Sequence, residues 1–323
     1  MHDTTSPQEA PASIRVDDAT SGNTIAPCLW CDDQAEKIAE LYTGVFPDSR
    51  ITAVAHYPET FDNPSGKPRG SVMTVEFELA GSPFTALNGG PHFTINPTIS
   101  FFAQVRSVQE VDRIAKALAD GGSYLMDLGA YPWSPRYAWV QDRFGVSWQV
   151  MASPEAGEPA AIFPCLMFAG DVHGRAEEAL QLYAGVFPDG RVDALEHYGA
   201  DEGPEGTIKH GRASLTGQPL VAMDSHREHH ARFNKGVSLQ ILCRDQKEVD
   251  HFWKALSEGG EEGPCGWLKD RFGVSWQVVP TRFIEMVKSG DGAGPGYERA
   301  FRAMLEMKKL DVAALQAAYD GEA

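Results

Sequence analysis

A cluster of histidines is the most direct candidate for metal chemistry in this sequence. His226, His229 and His230 lie within five residues of one another, and His92 lies in a matching segment of an earlier, related stretch. Imidazole is a common ligand of zinc and other divalent ions, so this cluster could hold a metal. Histidines beside charged residues in a loop are also typical of solvated surface. Both interpretations stay open.

Two further histidines lie at equivalent places and are each followed by tyrosine. These are His56 and His197, near the ends of predicted strands. The pKa of an ordinary imidazole is close to neutral, so either residue could act as a general acid or base at the mouth of a cleft. The alternative is a structural histidine that is held by hydrogen bonds.

Cys28 and Cys31 form a single C-x-x-C pair, a spacing that redox pairs and zinc knuckles use. The pair falls in a predicted strand, where residues three apart point to opposite faces, so ordinary packing is the favoured interpretation. The chain has five cysteines in all, few and odd in number for its length, which is unlike a disulfide framework. A reducing cytoplasm is therefore the expected location.

Charge and length restrict the class of protein. A net charge of −17 repels polyanions, so nucleic acid and anionic membrane surfaces are not expected partners. The sequence has no apolar stretch long enough to span a bilayer, and its first 23 residues lack the features of an export signal. At 323 residues, two packed cores are expected.

An internal repeat divides the chain. Residues 142–150 read DRFGVSWQV, and residues 270–278 read the same nine letters. Upstream, residues 41–50 return with few changes at 182–191. Copy two is shorter near the segment 126–137, which is therefore predicted to be a hairpin or loop. The predicted divisions are a disordered tail (1–23), copy one (24–151), a linker (152–161), copy two (162–280) and a helical extension (281–323).

Each copy shows the order strand, helix and three strands twice. Asp32 or Asp33 is predicted to cap the first helix, and the S-x-x-E pattern of Ser107 and Glu110 predicts a capping box at the second. In the extension, Asp311 is predicted to cap a final helix. The fold class is therefore α+β, with four βαβββ modules and a C-terminal helical extension that should dock on a sheet or on a neighbouring subunit.

Paired modules with these sequence motifs resemble the vicinal oxygen chelate superfamily of glyoxalase I, extradiol dioxygenases and bleomycin-resistance proteins. The resemblance is strongest to its PhnB-like branch, whose members are often labelled 3-demethylubiquinone 3-methyltransferase domain proteins. The motifs that carry it are P-x-L-W-x-D at 27–32, LYxGVFPDSR at 41–50, FTALNGGPHF at 84–93 and WLKDRFGVSWQVVP at 267–280. The resemblance implies two glyoxalase-like domains, each with a cleft between two modules.

In that superfamily, metal ligands come from the first and last strands of the modules. The last-strand positions fall on Gln149 and Gln277, with Thr85 and Val221 in the remaining modules. The first-strand positions are placed at Trp30, Ser100, Met167 and Ser238. None of these is histidine or a carboxylate, so the superfamily metal site is expected to be absent. The glutamines could orient a ligand or could instead satisfy hydrogen bonds within the core.

Three functions are compatible with this sequence. The first is a cytoplasmic, metal-free protein that binds a small molecule in apolar clefts. The second is a metal-dependent isomerase, lyase or dioxygenase whose histidine ligands lie elsewhere, and the third is an assembly protein whose clefts are filled by its own side chains.

The copies are expected to pack as an intramolecular pseudo-dimer, with a homodimer as a further option. No cofactor is predicted. A methyl-donor site is not expected, because no doubly wound unit with a glycine turn is visible; the glycine-rich segment 290–296 follows no predicted strand.

Overall fold

The computed structural model describes residues 24–152, 160–201, 203–226, 231–288 and 294–322. The predicted tail, most of the predicted linker and much of the glycine-rich segment lie outside these ranges, as do His229 and His230. None of the described helices is long and apolar enough to cross a membrane.

Both modules of copy one have the predicted order of strand, helix and three strands. The first comprises β1 (Thr24–Cys31), α1 (Ala35–Val45), β2 (Arg50–His56), β3 (Val72–Leu79) and β4 (Ser82–Asn88). The second comprises β5 (Ile99–Val105), α2 (Val108–Ala119), β6 (Ser123–Tyr131), β7 (Ser134–Gln141) and β8 (Ser147–Ala152). The segment 126–137 is the tip of the β6–β7 hairpin, which confirms that prediction.

Copy two repeats this order and is followed by three helices. Its first module comprises β9 (Ala161–Phe168), α3 (Ala176–Val186), β10 (Arg191–His197), β11 (Ile208–Leu215) and β12 (Gln218–Asp224), with a short 3-10 turn (Gly170–Val172) before α3. Its second comprises β13 (Val237–Cys243), α4 (Gln246–Ser257), β14 (Glu261–Glu262), β15 (Trp267–Lys269) and β16 (Ser275–Pro280). The extension comprises α5 (Thr281–Lys288), α6 (Pro295–Leu305) and α7 (Val312–Asp320). The α+β fold of four modules is confirmed.

Each of the two eight-stranded sheets takes four strands from each copy. Sheet A has the order β14-β15-β16-β13-β1-β4-β3-β2, and sheet B has the order β10-β11-β12-β9-β5-β8-β7-β6. The copies meet where β1 runs antiparallel to β13, with Cys28 opposite Ser238, and where β5 runs antiparallel to β9, with Ser100 opposite Cys165. Each candidate cleft is therefore built by both copies.

One face of each sheet is covered by helices α1 to α4 and forms the main core. In β1, for example, Ile25, Leu29 and Cys31 belong to this core, whereas Cys28 points to the opposite face. The opposite face of each sheet is called the cleft face below. The two cysteines of the C-x-x-C pair thus point to different faces, as the strand interpretation predicts.

The helix starts confirm some predicted caps and correct one. The Ser107 side chain accepts a hydrogen bond from the Glu110 amide at 3.2 Å, and Asp311 caps α7 in the same way. The prediction that Asp32 or Asp33 caps α1 is wrong. The amide of Ala35 donates instead to Oδ1 of Asn88 at 2.9 Å, so the cap comes from the end of β4. Spacing along the chain could not show this, because the partner is distant in sequence.

A buried aspartate explains why the nine-residue motif is repeated. The Asp142 carboxylate accepts hydrogen bonds from the Tyr42 hydroxyl at 2.6 Å and from Nε1 of Trp148 at 3.1 Å. It also accepts bonds from the amides of Phe144 and Val146 at 2.9 and 3.0 Å. Burial raises the pKa of this carboxyl, and the four donated bonds oppose that shift.

The same network recurs in copy two around Asp270, which accepts bonds from Tyr183 at 2.7 Å and Trp276 at 2.9 Å. Each tyrosine comes from the helix of one module and each aspartate from the last β-turn of the next. The network therefore joins the two modules within a copy, just as strand pairing joins the copies. Both tyrosines have no exposed surface.

We expect Asp142→Asn to lower the free energy of unfolding by about 3 kcal/mol, measured by urea denaturation. The amide keeps one oxygen for the backbone N–H groups but places an NH₂ donor against the Trp148 indole, which can only donate. Asp120→Asn is the matched control, because the Asp120 side chain is 80% exposed. A loss for Asp142→Asn no larger than that of the control would contradict the proposed role of the network.

Candidate functional site

The floor of the cleft face of sheet B is a buried polar cluster. Nε2 of Gln149 donates to Oγ of Ser100 at 2.9 Å, and the Tyr137 hydroxyl donates to Oε1 of Gln149 at 2.7 Å. Cys165 lies opposite Ser100 across the β5–β9 pair. All four side chains are at most 3% exposed. The cluster thus joins residues from both copies and satisfies its own hydrogen bonds, as the core interpretation of Gln149 predicts.

Sheet A has the matching cluster. Nε2 of Gln277 donates to Oγ of Ser238 at 2.9 Å, and Cys28 lies opposite Ser238 and beside Thr85. Both sheets therefore place a cysteine, a serine and a glutamine at the centre of the cleft face. The two clusters exchange the roles of the copies, because the cysteine of one copy meets the serine and glutamine of the other.

The first-strand positions require a shift of two residues in the first module of each copy. Cys28 and Cys165, rather than Trp30 and Met167, lie opposite the serines. Met167 lies two residues farther along β9 than Cys165, and its amide donates to the carbonyl of Thr98 at 2.8 Å. The sequence held a signal for the better placement, since Pro-Cys-Leu occurs at the same place in both copies, at 27–29 and 164–166.

Trp30 lies beyond the floor of sheet A, in an aromatic cluster at one end. Its Nε1 donates to the Gly90 carbonyl at 2.7 Å. Its ring meets Phe93 edge to face at 4.9 Å and Trp267 at 5.9 Å between centroids. The indole therefore packs the β4–β5 connection of copy one against β15 of copy two.

The floor clusters do not provide a donor set suited to the superfamily metal. Burial raises the pKa of the Cys28 thiol to about 11 and of the Cys165 thiol to about 12, and bonds to the neighbouring serine and glutamine lower each pKa only in part. At neutral pH these thiols are protonated, and a metal would have to displace that proton. A hydroxyl and an amide oxygen add no charge. These residues do not fit a divalent cation.

The candidate histidines are dispersed in the part of the chain that the structure describes. No group of three or more histidine, cysteine or acidic side chains among the described residues is arranged to hold a metal. His92 lies near the Trp30 ring, at 6.4 Å between centroids, whereas His226 lies against Tyr198 at 5.7 Å. His229 and His230 are outside the described residues, so the four-histidine site stays a prediction.

The two possible acid–base histidines are not brought to the cleft floors. Nε2 of His197 lies 3.3 Å from a carboxylate oxygen of Glu177 on α3, a helix that covers the other face of sheet B. His56 lies at the end of β2, where its backbone carbonyl accepts a hydrogen bond from the Tyr297 hydroxyl at 2.9 Å. Neither contact shows a role in catalysis.

The extension makes the two clefts different. Helices α5 to α7 form a second hydrophobic cluster with Ala55 of β2 and Val279 of β16, and Leu242 of β13 packs against this cluster. Val279 and Leu242 alternate with core residues of their strands and so belong to the cleft face. Nζ of Lys288 on α5 also lies 2.7 Å from a carboxylate oxygen of Glu76 on β3. The predicted docking of the extension on a sheet is confirmed, and it covers part of the cleft face of sheet A.

Sheet B carries an aromatic hairpin instead. Tyr131 and Trp133 stack with ring centroids 5.0 Å apart, and both meet Tyr137 edge to face at 5.4 and 5.7 Å. Trp133 is 54% exposed, the largest fraction among the exposed large apolar side chains of the described residues. On the cleft face, the stacked rings of Phe102 and Phe163 form one apolar layer with Tyr137, Cys165 and Val221.

The family model described as 3-demethylubiquinone-9 3-methyltransferase matches residues 23–151 and again residues 160–279. The chain belongs to this family. Its two matches coincide closely with the two repeats of the sequence. A search of curated proteins finds no match.

Two solved structures illustrate what this family member is similar to. A PhnB protein from Bacillus cereus is 32% identical over 40% of this chain and 98% of its own, with a TM-score of 0.36. Glyoxalase I from Zea mays is 15% identical and covers 82% of this chain and 96% of its own, with a TM-score of 0.52. The latter likeness concerns the fold alone, and it confirms two glyoxalase-like domains.

We expect iodoacetamide to label one thiol of the native family member at pH 8, that of Cys265. This thiol is the only half-buried one, and the Lys235 cation opposes the rise in pKa that burial causes. The other thiols are fully buried and should react only after unfolding. Intact mass identifies the number of adducts, and Cys265→Ser should abolish native labelling. Rapid native labelling of Cys28 or Cys31 would contradict the packing interpretation of the C-x-x-C pair.

Proposed function

We propose that this chain binds a small organic molecule against the cleft face of sheet B, without a metal ligand set. The observation that supports this most strongly is the apolar layer of that face, which remains partly exposed around the β6–β7 hairpin. Half-buried apolar side chains pack against the buried members of this layer, among them Met126, Trp139, Met151 and Met223. A concave, mostly apolar surface with few polar groups is the usual form of a small-molecule site.

The side chains of this layer favour a planar ligand. Trp133 and Tyr131 present π faces, and aromatic pairs contribute energy beyond that of buried area alone. The surrounding methionines are unbranched and can adapt to ligands of different shape. Ser100 and Gln149 are at most 3% exposed, so a ligand would reach them only if neighbouring side chains moved aside. In this proposal they support the layer rather than contact the ligand first.

We also propose that the copies act as an intramolecular pseudo-dimer. Matching side-chain bonds support this relation: Nδ2 of Asn96 donates to the Arg232 carbonyl at 3.0 Å, and Nδ2 of Asn234 donates to the Thr94 carbonyl at 3.0 Å. The loop before β5 in copy one and the loop before β13 in copy two thus hydrogen-bond to each other. Single-site binding follows from the extension, which covers part of the equivalent face of sheet A.

An assembly role for sheet A is the second candidate, and the docked extension favours it. Tyr297, Phe301 and Leu315 of α6 and α7 are buried in the cluster that joins the extension to that sheet. Methyl transfer is not proposed. The described parts of the two sheets are mixed, with antiparallel and parallel neighbours, and do not form the open parallel sheet of a doubly wound nucleotide-binding fold.

The test is fluorescence titration with N-phenyl-1-naphthylamine, a neutral planar probe. We expect one molecule of probe per chain, and roughly tenfold weaker binding to Trp133→Ala because a stacking surface is lost. Phe93→Ala is the matched control, since Phe93 is a partly exposed aromatic residue at the end of sheet A, and it should leave affinity unchanged. Equal affinity of the wild type and Trp133→Ala, or absence of binding, would overturn the proposed site.

A further inference from the structure

An arginine on the wall of the sheet B cleft is placed to recognise charge. On β11, Gly211 and Ala213 face α3: a Cβ atom built on Gly211 would lie 2.5 Å from Cδ1 of Leu180, and Ala213 belongs to the main core. Alternation along the strand therefore directs His210 and Arg212 to the cleft face. The two residues are cross-strand neighbours of the apolar layer.

The arginine lies close to the centre of the cleft. Arg212 is opposite Val221 on β12, and Val221 is opposite Cys165 of the polar floor on β9. Neighbouring strands are about 4.8 Å apart, so the Arg212 backbone is roughly 10 Å from that of the floor cysteine. An extended arginine side chain can cover most of that distance. A ligand on the apolar layer would thus lie within reach of the guanidinium.

Arg212 has no ion-pair partner within the part of the chain that the structure describes. The side chain is exposed, and no ion pair or hydrogen bond joins it to another of the described residues. The nearby acids on β10 have other partners: Glu196 lies 3.4 Å from Lys209, and Asp193 lies 2.8 Å from Arg191.

His210 adds no competing cation on this wall. Its ring meets Phe102 edge to face at 6.0 Å between centroids. Burial lowers the pKa of the imidazole below its ordinary value; the Glu196 carboxylate opposes this shift, and the Arg212 cation adds to it. Among the described residues of this wall, Arg212 is therefore a cation without an ion-pair partner beside an aromatic layer.

Sheet A shows how the equivalent position is used when the cleft face is covered. The residue that matches Arg212 there is Glu76, which is opposite Thr85, itself opposite Cys28 of the floor. Glu76 is paired with Lys288 of the docked extension at 2.7 Å. The extension that covers part of that cleft face thus pairs the Lys288 cation with the Glu76 carboxylate.

We propose that the molecule bound on sheet B carries an anionic group, such as a carboxylate, on a planar ring, and that Arg212 pairs with this anion. This inference rests on the proposed function and names the class of its ligand. Guanidinium can bind a carboxylate through two parallel N–H···O bonds, which are shorter and stronger than bonds between neutral groups. The ring then lies on the apolar layer; Tyr131 packs against this layer, and Trp133 stacks on Tyr131.

The experiment compares three ligands with one ring system, 2-naphthoate, 2-naphthamide and 2-naphthylmethylammonium, by isothermal titration calorimetry on the full chain. We expect the wild type to bind the carboxylate roughly tenfold more tightly than the amide, and the ammonium most weakly. In Arg212→Gln this preference should fall to within about twofold while amide affinity is retained. Arg191→Gln is the matched control, since it removes a charge from the next strand and should keep the preference.

The outcomes separate the two proposals. If all three ligands bind equally and Trp133→Ala weakens each of them, the site is real and the anionic preference is wrong. If none binds, the proposed function itself fails. A carboxylate preference that persists in Arg212→Gln would also overturn the assigned role of Arg212. Raising the salt concentration should reduce the wild-type preference, because screening weakens a partly exposed ion pair.

Discussion

The antiparallel pairing of strands between the two copies is the interaction on which the rest of the structure depends. Because β1 pairs with β13 and β5 pairs with β9, neither sheet exists without both copies. The same pairings assemble the floor clusters, where the cysteine of one copy meets the serine and glutamine of the other. A cleft in this molecule is thus a property of the whole chain, although the sequence repeat is a property of each half.

A second constraint acts within each copy. Asp142 and Asp270 join a helix of one module to the last turn of the next through bonds to tyrosine, tryptophan and backbone donors. These links hold the two modules of a copy against each other. The resulting near symmetry is broken by two additions, the extension on sheet A and the aromatic hairpin on sheet B. Their difference, rather than the shared fold, distinguishes the two cleft faces.

Much of the fold could be predicted from the sequence, because the repeat and the local patterns are strong. The Ser107 cap and the Asp311 cap follow from residues three apart, and the structure has both. Contacts between residues that are distant in the sequence could not be predicted from these local patterns. Asn88 caps α1 from another element, and the pairing of β1 with β13 joins residues more than two hundred positions apart. Within the site, a two-residue shift hid Cys28 and Cys165, and only the strand register showed that Arg212 lies two strands from the floor cysteine.

The most direct measurement is an NMR titration of the seven tryptophan indole N–H groups with N-phenyl-1-naphthylamine, each signal being assigned by a Trp→Phe variant. The proposed single site predicts that the signals of Trp133 and Trp139 on sheet B shift as probe is added. The signals of Trp30 and Trp267, at the end of sheet A, should stay in place. Shifts confined to Trp30 and Trp267, or shifts of all four in parallel, would contradict a single site on sheet B.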